Sequence, residues 1–385
     1  MWDAQRPSAL MNAAWATTPH PALRAPSPPG EGNILTERMF PVEDNFVLPS
    51  LSPDSNQWLD SLIPEFSGKG AVSSMLEGSF GVDPTSIVGR ILNLFVGELR
   101  LSLRVLALLL ALGIFLAVLK NLQSSFGREG VSRVAELAGS AYLTAIALEA
   151  FSTAVDYATT AVTDLNVLMD AIIPATLSLM LSGGMPVSGG AVNPIVYFMC
   201  SLMAKVIGAI VIPLSLVSLV LYILSSISLG LSVNGLADLC QRANKYLLSF
   251  LMVIFTGVLS VTKFAAASFD SVAARGLKFT VSSAVPLVGG SIADAMSAVA
   301  GGSLLLKNSI GAVGVAMLIG VALLPIIKIG ALSLVFRMGG ALMGPLGSDQ
   351  LSEAVGRMAG CLEMLMAAVA STGLMMVIGV AAIMS

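Results

Sequence analysis

The sequence predicts an all-α, polytopic membrane protein of about eight spans, with a short helical extracytoplasmic region ahead of the first. Long runs after residue 100 carry almost no charge. Leu101–Leu119 holds only Arg104, Ala191–Val233 only Lys205, Gly311–Phe336 only Lys328, and Cys361–Ser385 only Glu363. A spanning helix needs about 20 mostly apolar residues, because lipid offers no partner for backbone polar groups. Composition agrees: 56% of the residues are apolar and 11% charged, where soluble domains carry roughly 25% charged residues. Mean hydropathy is +0.88.

Residues 1–40 read as a disordered tail broken by Pro7, Pro19, Pro21, Pro26, Pro28 and Pro29. They contain no apolar run behind a basic start, which a secretory signal would show. Residues 41–98 form the polar region. From Glu31 to Glu98 acids far outnumber Arg38, Lys69 and Arg90, a poor surface for nucleic acid, whose phosphates need clustered Lys and Arg. Asn56–Pro64 and Gly70–Phe80 read as short helices. In Thr85–Leu103 the positions Ile87, Ile91, Leu92, Leu94, Phe95 and Leu99 recur at helical spacing.

Residues 99–385 form the transmembrane domain. The loops holding Lys120, Arg128 and Arg133, then Arg242 and Lys245, then Arg337 and Arg357 read as cytoplasmic from their basic bias. The acidic region then lies outside, although Arg100 and Arg104 at the outer end of the first span run against the bias. Ala191–Val233 would be about 64 Å long as one helix, against a bilayer core of about 30 Å. Two spans broken at Pro213 are expected there. The Gly- and Ser-rich stretches around Pro174 and Pro286 read as spans or re-entrant segments.

The domain reads as internally duplicated, with units at about 132–231 and 241–345. Pro174 and Pro213 are spaced as Pro286 and Pro325 are, and Gly189 and Gly190 map onto Gly301 and Gly302 at the same offset. Ala204, Ile207 and Gly208 fall on Ala316, Ile319 and Gly320. These prolines and glycines are the expected structural hinges, and repeats of this kind build many transporter-like bundles.

Few residues carry chemistry. Cys200, Cys240 and Cys361 lack metal or redox spacing, and His20 is the single histidine. No phosphate loop, dinucleotide fingerprint or HExxH motif occurs, so neither an enzyme nor a cofactor is expected. Glu149, Asp156 and Asp164 lie within about 80° of one another on a helix, joined by Thr153 and Thr160. Such a face is either a polar path at membrane depth or an ordinary solvated surface. Lys205 is a further candidate for that path, by snorkelling to a polar pocket or pairing with an acid such as Asp170. Gly340/Gly344 and Gly356/Gly360 have the small-xxx-small spacing of closely packed helices.

Several segments together resemble the stage III sporulation protein AE family of endospore-forming bacteria. They include SFGREGVSRVAELAGSAYL (125–143), IIPATLSLMLSGG (172–184), NPIVYFM (193–199), VIPLSLVSLVLYILSSIS (211–228) and GVLSVTKFAAASFDSVAARGLKF (257–279). The most specific are VPLVGGSIADAMSAVAGGSLLLKNSIGAVGV (285–315) and LLPIIKIGALSLVFRMGGALMGPLG (323–347). The likeness covers roughly 45–385. It implies a multi-pass subunit of the mother-cell membrane facing the forespore, in a channel-like complex needed for late forespore gene expression. The implied partners are other membrane and ring-forming proteins of the stage III sporulation A operon, its secretion-type ATPase and, indirectly, stage II sporulation protein Q. The resemblance brings no catalytic residues. Members of this family usually begin with a signal-like apolar segment, which residues 1–40 lack. The competing reading from the residues alone is a stand-alone secondary transporter built on duplicated, Pro-broken helices.

Overall fold

The computed structural model describes residues 51–62, 84–126, 129–182, 193–227, 233–284, 289–346 and 349–384, all within one unit, Leu48–Ser385. Every described element is a helix: α1 (Pro53–Leu62), α2 (Pro84–Phe126), α3 (Glu129–Ser182), α4 (Asn193–Val206), α5 (Ile212–Ile227), α6 (Asn234–Ala284), α7 (Gly289–Met343) and α8 (Asp349–Met384). A π turn, Ile207–Val211, joins α4 to α5, and a 3-10 turn, Gly344–Leu346, follows α7.

Six helices among the described residues are long and apolar enough to cross a membrane, against about eight expected for the whole chain. One of the expected divisions is corrected directly. Asn193–Ser225 is a single continuous candidate span, with no break at Pro213. A proline inside an α-helix lacks an N–H and drives its ring into the carbonyl four residues earlier. Here the preceding turn widens to π register, and the Ile212 N–H donates to the Ile207 carbonyl. One extra residue in the turn moves the crowded carbonyl aside, so the helix continues. Asn244 of α6 reinforces this point. Its Nδ2 donates to the Val211 carbonyl at 2.9 Å and to Ser215 Oγ at 2.8 Å, and its side chain is fully buried. Asn244→Leu is expected to lower stability by about 1 kcal/mol, the scale of interhelical hydrogen bonds in membranes. Thermal unfolding in detergent checks this, with Thr256→Val, an exposed change on the same helix, as the comparison.

Pro174 and Pro325 also lie inside continuous helices. Gly301 and Gly302 fall within α7, whereas Pro286, Gly189 and Gly190 lie outside the described residues, and so does most of the 1–98 segment apart from α1 and the start of α2. α2 passes from 98 to 99 without interruption. It therefore joins the polar region and the first span in one helix. The candidate spans are 31 to 45 residues long. At 1.5 Å per residue all exceed a bilayer core of about 30 Å, so they tilt or project beyond it.

α7 and α8 form the centre. The apolar stretch of α7 is the most buried of the candidate spans and that of α6 the least. The two pair antiparallel through small residues. A side-chain carbon at Gly373 would lie 2.7 Å from Ala322 Cβ, and one at Gly340 would lie 3.0 Å from the Ser352 carbonyl oxygen. α3 lines α7 on a second side, with Gly314 facing Ile172. α2 and α3 pair where Gly139 faces Leu116. Tyr222 near the end of α5 donates to Asp238 near the start of α6, and Arg357 near the start of α8 stacks on that tyrosine. The connections α2–α3, α5–α6 and α7–α8 thus share one end of the bundle. These are the connections whose flanks carry the basic residues.

Candidate functional site

The densest polar arrangement gathers on α1. The sequence around it, Leu51-Ser52-Pro53-Asp54, is a helix start: a Ser cap, then a Pro whose missing N–H matters least in the first turn. Ser52 Oγ accepts weakly from the Ser55 N–H at 3.4 Å. The tip of this helix is inserted against α3 and α7. Asp164 of α3, 5% exposed, accepts from the Ser52 N–H at 3.2 Å, from Ser52 Oγ at 2.6 Å and from Ser55 Oγ at 2.7 Å. A carboxylate therefore sits at the N-terminus of α1. There it satisfies an otherwise unpaired N–H and faces the positive end of the helix dipole.

Further contacts fasten α1 to α7. Lys328 Nζ lies 3.3 Å from Asp54 Oδ2 and 4.5 Å from the centre of the Tyr157 ring. Trp58 Nε1 donates to the Gly320 carbonyl at 3.0 Å. Leu51 and Leu59 are buried with the main core, and Trp58 packs on Leu324 with Leu94 beside it. Lys328 ends its stem between an acid and an aromatic face, both of which suit an ammonium group near apolar surroundings. The arrangement can hold a helix end firmly.

The structure separates the three acids of α3. Asp164 is buried under α1, while Glu149 and Asp156 are exposed with Thr153 between them and Thr160 one turn after Asp156. Lys205 is exposed on α4. Asp170 takes its hydrogen bond from Tyr197 Oη, at 2.7 Å, and Lys205 forms no ion pair among the described residues. Ser52, Ser55, Trp58 and Tyr157 escaped the sequence reading. The Ser-Pro helix start was a usable signal for the first two; nothing local marks Tyr157.

A second polar cluster lies at the shared loop end. Arg337 pairs with Glu363 through both carboxylate oxygens, and Arg357 pairs with Glu353 one turn away. Ser333 Oγ reaches the Ala359 carbonyl at 3.3 Å. The Arg337–Glu363 pair and the Ser333 bond join α7 to α8, while the Arg357–Glu353 pair lies within α8.

The family model of stage III sporulation protein AE matches residues 66–385. A curated relative, stage III sporulation protein AE of Bacillus subtilis (strain 168), is 33% identical over 286 residues, covering 74% of this chain and 71% of the relative. No solved structure matches.

Proposed function

The chain belongs to the stage III sporulation protein AE family, and from that premise we propose that it is a non-enzymatic, multi-pass subunit of the channel- or secretion-like complex joining mother cell and forespore. The observation that carries this reading is the bundle itself. Six apolar helices pack with close small-residue contacts at their centre, and the buried polar groups anchor one helix to another. Its place is the mother-cell membrane facing the forespore. Its partners are the other membrane and ring-forming proteins of the stage III sporulation A operon, the secretion-type ATPase and, indirectly, stage II sporulation protein Q. Helices unbroken through Pro174, Pro213 and Pro325 favour a subunit over a stand-alone transporter, whose sites form where helices are interrupted.

The basic loop end faces the cytoplasm in this reading, and α1 lies toward the outer side. The duplication of units 132–231 and 241–345 belongs to the same proposal; α3 with α4–α5 and α6 with α7 are its two halves. A tagged chain expressed in sporulating cells lacking their own copy is expected to restore spore formation and to carry the ATPase and ring proteins through purification. Restored sporulation without those partners would overturn the complex, and failure of an expressed, membrane-inserted chain to restore it would overturn the role. Single-cysteine labelling in intact cells tests the topology, with residue 60 expected to react from outside and residue 128 to be protected.

A further inference from the structure

Two helices at the rim carry charges of opposite sign that nothing described within the chain answers. On α3, Glu149 and Asp156 are exposed, and between Leu148 and Leu181 no large hydrophobic side chain is exposed. On α2, Arg100 and Arg104 are exposed one turn apart, among exposed Val96, Leu101, Leu103 and Leu108. None of these four charges forms an ion pair with a described residue.

Their heights agree. Leu109 lies against Gly339, and Leu94 packs on the Leu324–Trp58 cluster, so α2 runs parallel to α7 at a constant register. Lys328 sits over Tyr157 and Gly314 faces Ile172, so α3 runs antiparallel at a constant register of its own. Followed along these registers, Arg100 falls level with Gly330 of α7 and Asp156 with Ile329. Arg104 falls level with Leu334 and Glu149 with Phe336. Each acid thus shares its height with a base to within one helical turn, about 5 Å.

We propose that the exposed acidic face of α3 docks onto Arg100 and Arg104 of α2 in a second copy of this chain. Copies of a membrane protein associate by rotation about the bilayer normal, so height is preserved across their contact. Setting α2 of one copy against α3 of the next brings Arg100 to Asp156 and Arg104 to Glu149. Ser152 and Thr153 between the acids supply short, hydrogen-bonding side chains that let the helices approach. A charge left toward lipid is costly, and pairing between copies relieves that cost. A two-fold dimer and a closed ring both satisfy this geometry. The proposal concerns the chain itself and does not rest on the sporulation reading.

The test uses two differently tagged full-length chains co-expressed in one membrane and purified through one tag in mild detergent. Wild-type chains are expected to co-purify. Arg100→Glu/Arg104→Glu in both chains is expected to reduce recovery of the second tag at least tenfold, and so is Glu149→Arg/Asp156→Arg in both. One reversed chain of each kind together should restore it, which also establishes that both variants fold. Wild-type chains that do not co-purify would overturn the proposal. Undiminished recovery with either reversal, or no rescue by the mixed pair although each variant elutes as a monodisperse protein, would do so equally. Loss of sporulation in the reversed variants of a chain that is monomeric would assign the surface to a different membrane protein and also overturn it.

Discussion

Asp164→Leu is expected to release α1 from the bundle and to lower stability by about 3 kcal/mol. The carboxylate holds the Ser52 N–H and the hydroxyls of Ser52 and Ser55. Hydrogen bonds to a charged group contribute about 1.5–3 kcal/mol each, and leaving buried donors unpaired adds a desolvation penalty. Leucine fills the space but accepts nothing. A thiol reporter at the buried position of Leu59 is expected to react at least tenfold faster in the variant, with a lower midpoint of thermal unfolding alongside. Asp164→Asn, which keeps an accepting oxygen, should show an intermediate rate. Slow labelling equal to the parent would remove Asp164 as the anchor of α1. Asp156→Leu offers the contrast. Its side chain is exposed, so the monomer's unfolding midpoint should stay within the small range of surface changes, whatever happens to association between copies.

Gly340→Val is expected to disrupt the central helix pair, costing about 3 kcal/mol or more and reducing the amount of chain in the membrane. A carbon added at Gly340 would meet the Ser352 carbonyl oxygen at 3.0 Å and the Gly356 nitrogen at 3.2 Å. Both are backbone atoms, so no side chain can swing away, and α7 and α8 must separate. Separation also breaks the hydrogen bond from Ser352 Oγ to the Gly340 carbonyl, 2.7 Å long. Overpacking alone typically costs 1–3 kcal/mol, and the lost interhelical bond adds to it. Gly356→Ala should be nearly neutral, because a carbon there meets nothing within 4 Å. Equal unfolding midpoints for the two variants would show that the close approach is not what joins these helices.

Membrane insertion, the helical class, the basic loop ends and the family resemblance were all legible in the residue string. Each depends on local composition or on the order of short segments, which lipid and backbone hydrogen bonding translate directly into structure. The small-xxx-small spacing correctly marked α7 and α8 as a close pair, yet it treated Gly340 and Gly356 alike. Only the facing of the two helices decides that one is filled against backbone and the other is open. Pro213 carried a reliable local message, a missing N–H, and the wrong consequence. Whether a helix breaks or widens there depends on the π turn and on Asn244 from another helix, neither visible in the apolar run. The acids of α3 show the same division most clearly. Spacing placed Glu149, Asp156 and Asp164 on nearly one face, but Asp164 is capped by Ser52, 112 residues away in sequence. Hydropathy and periodicity are one-dimensional quantities. They determined that these helices exist and enter a membrane; which charge is buried, and against what, was decided by distant segments meeting in the folded bundle.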